Sequence, residues 1–115
     1  MSNSELATLT MLSPNWRERT HAIDTVTIHH TAAAGVSAAA IGQSFLPEAR
    51  KASANYGIGY DGQIVLIVPE EKRAITSSSS ANDNRAITIE VANSAGAPDW
   101  PISSDSWAAL ILLLT

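Results

Sequence analysis

The stretch Ile23-Asp24-Thr25-Val26-Thr27-Ile28-His29-His30-Thr31-Ala32 limits what this chain can fold into more than any other, because a β-rich run carries two histidines straight into a loop of small residues. Val26 and Ile28 lie two apart, as do Thr25, Thr27 and His29, so a strand with a period of two puts the aliphatics on one face and His29 on the other. This predicts that His29 looks into a groove rather than into the core. His30 falls in line with Val26 and Ile28, and either points inward or sits at the strand's end. An imidazole fixed by a strand end beside an open loop suits a metal ligand, because the loop leaves room for a substrate. A structural role for the histidine pair fits the same residues.

At 115 residues the chain is one domain at most, and folding would bury roughly two thirds of its unfolded surface. Hydrophobic residues make up 45% and aromatic residues only 5%, so the core must be built from Ala, Ile, Leu and Val. The formal net charge is −4 and the seven basic residues are scattered, which makes nucleic acid and anionic membranes poor partners. With no cysteine, any metal must be held by His, Asp or Glu. The N-terminal Met1-Ser2-Asn3-Ser4-Glu5-Leu6 lacks the basic and apolar segments of a secretory signal. The apolar run from Trp107 to Leu114 is too short to span a bilayer.

Residues 1–22 read as an irregular lead-in anchored by Trp16, and residues 23–115 as the body of the domain. His21, just before the first strand, has no second ligand at a useful spacing. Ser37 caps a helix running to Phe45, with Ile41, Phe45 and Leu46 as its inward stripe and Pro47 as its stop. Asn55 to Pro69 reads as a hairpin on an Asp61-Gly62 type I′ turn, with Tyr56, Ile58 and Tyr60 on one face and Gly57 and Gly59 on the other. The alternating glycines either floor a ligand groove or accommodate a crossing helix. Glu70-Glu71-Lys72-Arg73 reads as a solvated charge cluster, and Ser77 to Ser80 as an exposed mobile loop.

Asn82-Asp83-Asn84 then turns the chain into the strand Ala86-Ile87-Thr88-Ile89-Glu90-Val91. Glu90 stands on the polar face of an apolar strand and must be hydrated, paired or functional, because burying it unpaired is costly. Asn93 to Pro101 is a turn-rich loop holding Trp100. Beyond it Ser103 or Ser104 caps a helix through Trp107, Leu110, Ile111 and Leu114 that is apolar nearly all round. That helix expects neighbours on more than one side, and its lack of a C-cap before Thr115 suggests that something following it has been removed.

Five segments in register, Thr27 to Ala32, Ser53 to Gly59, Asp61 to Ile64, Ala81 to Ala86 and Ile87 to Asn93, resemble the zinc-dependent N-acetylmuramoyl-L-alanine amidases, the family shared by peptidoglycan recognition proteins and many phage endolysins. The resemblance runs from about residue 23 to 115 and implies an α/β fold, a central mixed β-sheet flanked by helices. It also implies hydrolysis of the amide between N-acetylmuramic acid and the first L-alanine of the peptidoglycan stem peptide. Carried over by motif, His29 is a zinc ligand and Glu90 the glutamate that activates the zinc-bound water. His30, Thr31, Asn55, Tyr56, Gly57 and Asn82 become groove residues for the substrate. An endolysin-like member without a signal would be made in the host cytoplasm and act on the wall after release.

The departures from the pattern are as specific. The family's other two ligands, a histidine and then a cysteine or aspartate before a Pro-Gly turn, have no counterpart here, and Ala54 stands where some relatives place a tyrosine. One ligand cannot hold zinc tightly, so the resemblance predicts weak zinc binding and little activity for this chain alone. It leaves two other readings open: a non-catalytic peptidoglycan-binding module, and association through the exposed C-terminal helix with a second chain.

Overall fold

The computed structural model describes residues 3–77 and 79–115. In chain order the elements are β1 (Leu9–Thr10), β2 (Trp16–Glu18), β3 (Thr25–Ala34), α1 (Ala38–Ser44), a 3-10 turn (Glu48–Arg50), β4 (Tyr56–Ile58), β5 (Ile64–Leu66), β6 (Lys72–Ala74), α2 (Ser80–Arg85), β7 (Ala86–Asn93) and α3 (Ser104–Leu114). Five strands form one mixed sheet in the order β1-β5-β4-β7-β3. Only the β4–β5 hairpin is antiparallel within it. Because side chains alternate along each strand, the sheet has two apolar faces. Ile41 and Phe45 of α1 pack on one, with Val65 and Ala92. Ala109 and Leu110 of α3 pack on the other, with Tyr56, Ile58, Ile89 and Val91.

The lead-in is more ordered than its composition predicts. β1 adds a parallel edge to β5, and β2 pairs antiparallel with β6, drawing the expected charge cluster into a second, two-stranded sheet. Glu18 is thus a second acid within a strand. The Arg19 guanidinium fastens this region by donating to the carbonyl oxygens of Glu70, Lys72, Asp83, Asn84 and Ala86. Trp16 is half-exposed, with the Lys72 ammonium 4.5 Å from its ring centroid.

Local signals place the helices. Ser37 accepts from the Ala40 amide, the N-cap expected, and Ser103 rather than Ser104 is the second cap, accepting from the Ser106 amide. Ile41 and Phe45 are buried, but Leu46 is exposed, because α1 stops at Ser44 and one more residue swings the side chain about 100° round the axis. The expected serine loop instead opens α2. Ser79 caps it, and buried Asp83 accepts from the Thr76 amide and from the amide and hydroxyl of Ser77. Ser78 lies outside the described residues.

The β4–β5 turn also differs from its expected form. A type I′ turn needs positive φ at both central residues, yet Gly62, at φ 89°, has it and Asp61 does not. Gly59 accepts from the Gly62 amide and donates to Gln63, making a three-residue loop closed by a glycine bulge. The alternating glycines take the second of their two readings: a Cβ on Gly57 would lie 2.8 Å from Ile41 Cγ2, and one on Gly59 2.5 Å from the Ala38 nitrogen. They let α1 cross close to the sheet.

α3 docks through hydroxyls, Ser106 donating to the Gly59 carbonyl at 2.7 Å and Ser103 to that of Tyr60 at 2.6 Å. Its outer side stays open, with Trp107, Ile111, Leu112 and Leu114 exposed. Among the described residues no helix is long and apolar enough to cross a membrane.

Candidate active site

β7 is an interior strand between β4 and β3, and its registers bring the candidate residues together. His29 lies opposite Glu90 on one side, and Gly57 opposite Glu90 on the other. Register partners in adjacent parallel strands share a face, so His29 and Glu90 project together on the side covered by α1. Burial pushes the Glu90 carboxyl above its ordinary value, with His29, then Arg50 and His30, pulling it back down. A carboxylate raised in this way is a better proton acceptor than a solvated one.

Beside Glu90 a cavity of about 250 Å³ opens between β3 and α1, lined by His30, Thr31, Val36, Ile41, Phe45 and Arg50 among others. A second, of about 350 Å³, lies toward α3 between Ile28, His30, Val91, Trp100 and Trp107. His29 borders this second cavity, which a residue of the outermost strand can do while its register partner sets the side to which its ring projects.

His30 borders both cavities, and β3 leaves it in a strained turn. The β3–β7 register slips between His30 and Ala34, and Ala32 adopts φ 56° to make the bulge. Thr31 holds it closed, its hydroxyl donating to the Ala33 carbonyl at 3.0 Å and accepting from the Ala33 amide. Across the bulge Trp100, also in the left-handed region at φ 45°, stands with its ring 5.8 Å from that of His30.

The structure gathers some of the expected site residues and separates others. His29, His30, Thr31 and Glu90 meet at one end of β3 and β7. Asn55 was expected at the groove but is fully buried. Its amide group donates to the carbonyls of Val68, Pro69 and Lys72 and accepts from the Thr88 amide, so no polar atom remains to meet a ligand. Tyr56 is buried on the α3 face, its hydroxyl donating to Glu70 and accepting from the Ser4 amide; burial and then Glu70 drive its phenol well above the ordinary range. Gly57 lies beside Glu90 but beneath Ile41. Asn82 sits further down the strand pair, donating to the Thr27 hydroxyl at 2.8 Å.

Three residues around the site carried no sequence signal for it. Arg50 belongs to a stretch without periodicity. Asn93 ends a strand, and Trp100 lies in a turn-rich loop; these two reach His30, and Arg50 the cavity beside Glu90, only through tertiary structure.

These donors do not make a complete metal site. Among the described residues no three of His, Asp, Glu or Cys cluster as ligands. His21 precedes the start of β3, exposed, with its Nδ1 against the Ala22 carbonyl. Among the described residues the site therefore lacks the three clustered protein ligands that zinc requires.

The architecture is an α/β fold, a central mixed sheet with helices on both faces and a histidine and a glutamate in register across two parallel strands. The family model for N-acetylmuramoyl-L-alanine amidases matches residues 19–115, and the chain belongs to that family. Peptidoglycan is therefore its substrate class. A crystal structure of a selenomethionine derivative of AmpD matches with a TM-score of 0.71 at 19% identity, covering 96% of this chain and 73% of that one, a likeness of fold. No curated protein matches the chain.

Proposed function

We propose that this chain cuts the amide between N-acetylmuramic acid and L-alanine, with Glu90 taking the proton of the attacking water and passing it to the leaving amine. The observation that carries this reading is the register pairing of His29 with Glu90 across β3 and β7, with Glu90 lining the α1-side cavity. Burial supports the role of Glu90, since it favours proton uptake. We assign His29 to zinc. One imidazole holds the ion weakly, so hydrolysis by this chain alone is slow. The endolysin-like, wall-lysing role rests on the motif resemblance.

A second reading, a peptidoglycan-binding module without catalysis, is favoured because no three ligands cluster among the described residues. Cosedimentation with insoluble peptidoglycan, with and without zinc, and labelling of newly exposed L-alanine amino groups separate the two. The amidase reading expects saturable binding and slow release that Glu90→Gln abolishes while binding persists. Binding without new amino groups selects the module, and no binding at all removes both. Zinc titration by calorimetry should show only weak uptake; tight one-to-one binding would overturn the assignment of a single ligand.

A further inference from the structure

The exposed His30 ring is held by an arrangement that no catalytic role assigned above requires. Its Nδ1 lies 3.2 Å from Asn93 Oδ1. Asn93 is fully buried, and its Nδ2 donates to the main-chain carbonyl of Trp100 at 2.8 Å. A carbonyl only accepts, so the amide cannot be turned round without setting two oxygens against each other. The Thr31 hydroxyl, 3.4 Å away, faces the same Oδ1. Oδ1 is therefore an acceptor toward His30, and Nδ1 must carry the proton. In the neutral ring this leaves Nε2 as a bare acceptor. Trp100 adopts a left-handed backbone, rare for a bulky residue, that accompanies both its carbonyl contact with Asn93 and the approach of its ring to His30.

We propose that Asn93 is a positioning residue: oriented by the Trp100 carbonyl, it fixes the Nδ1–H tautomer of His30, which borders both cavities, and so leaves Nε2 as an acceptor for an N–H or O–H of the muramyl-peptide substrate. The nature of the ligand rests on the amidase reading; the tautomer does not. An Nε2 acceptor at this place selects substrates that carry a donor there and disfavours those that offer only a carbonyl or an ether oxygen.

The test uses the metal-free chain at a pH where the ring is neutral. Long-range 1H–15N spectra should show His30 as the Nδ1–H form in the wild type and, in Asn93→Ala, a shift toward the Nε2–H form usual for free histidine. A wild-type ring already in the Nε2–H form overturns the proposal. Because buried Asn93 also supports the Trp100 loop, a second measurement leaves it intact. Titration with N-acetylmuramoyl-L-alanyl-D-isoglutamine, followed by backbone amide shifts, should weaken by about five- to tenfold in His30→Ala. His30→Gln, whose amide oxygen can replace the acceptor, should recover part of that loss. Equal binding by wild type and His30→Ala refutes the positioning role and leaves the amidase reading standing. No binding by the wild type, with the tautomer as expected, refutes the amidase reading and the positioning role with it.

Discussion

β7 and β3 run side by side with nearly the same alternation, Ile87-Thr88-Ile89-Glu90-Val91 against Val26-Thr27-Ile28-His29-His30, yet they occupy different environments. Ile89 is 1% exposed under α3, whereas its register partner on β3, Ile28, is 49% exposed, and Val26, opposite the partly buried Ile87, is 45% exposed. The aliphatic side of the histidine strand, expected to face the core, is the more open of its two sides. The cause is position in the sheet: β7 has a strand on each side and α3 above it, while β3 is the last strand and α3 does not reach over it. The candidate site is thus a rigid carboxylate on an interior strand facing an imidazole on an edge strand.

Four measurements break or sharpen that contrast. The largest effect should come from Ile89→Ala, which leaves a cavity against α3 and should cost about 3 kcal/mol in denaturant unfolding. The matching Ile28→Ala on the edge should cost under about 1 kcal/mol. Equal losses would mean that β3 is covered in solution.

Next in size, Asn55→Ala should cost about 2 kcal/mol, because it strands the buried Thr88 amide of β7 together with the carbonyls of Val68, Pro69 and Lys72. Asn82→Ala, which removes one bond to Thr27 on the edge strand, should cost about 0.5–1 kcal/mol. A reversal of that order would contradict the assignment of β7 as the anchored strand.

Glu90 gives the pH test. Burial raises its carboxyl above the ordinary 4.5, so the folded chain keeps a proton that the unfolded chain releases. The resulting stabilisation is complete below that ordinary value and is lost as pH rises through the raised one. Relative to Glu90→Gln, the wild type should therefore lose stability as pH rises above about 4.5. A flat difference over that range would mean that Glu90 is solvated.

The smallest effect is expected on the open side of α3. Trp107→Ser, at an exposed position, should change stability by less than about 0.5 kcal/mol. A larger loss would show that this apolar surface is covered, by self-association or by another partner, and repeating the measurement across protein concentrations would reveal the former.

Much of this was legible in the residues themselves. Period-two alternation located both long strands, hydroxyl residues ahead of apolar runs located the caps of α1 and α3, and the shared pattern of the two strands singled out His29 and Glu90. The misreadings had a common source. The lead-in strands, the Arg19 fastening and the buried carboxylate of Asp83 all depend on partners more than fifty residues away or on a short helix that turn-forming residues conceal. Asn55 illustrates the limit well: an asparagine beside a glycine-rich strand suits a ligand groove, and only its neighbours show that its hydrogen bonds are already spent.

The sequence by itself determined the local geometry, meaning which residues alternate on a strand, where a helix may begin, and the family to which the motifs point, because these depend on dihedral preferences and spacing within a few residues. Tertiary structure alone decided which strand is interior and which is the edge, that Glu90 stands beside His29, and that Asn93 and Trp100 hold His30. Those outcomes follow from strand order and register, which bring together groups far apart along the chain, and burial then sets their charge and their hydrogen bonds.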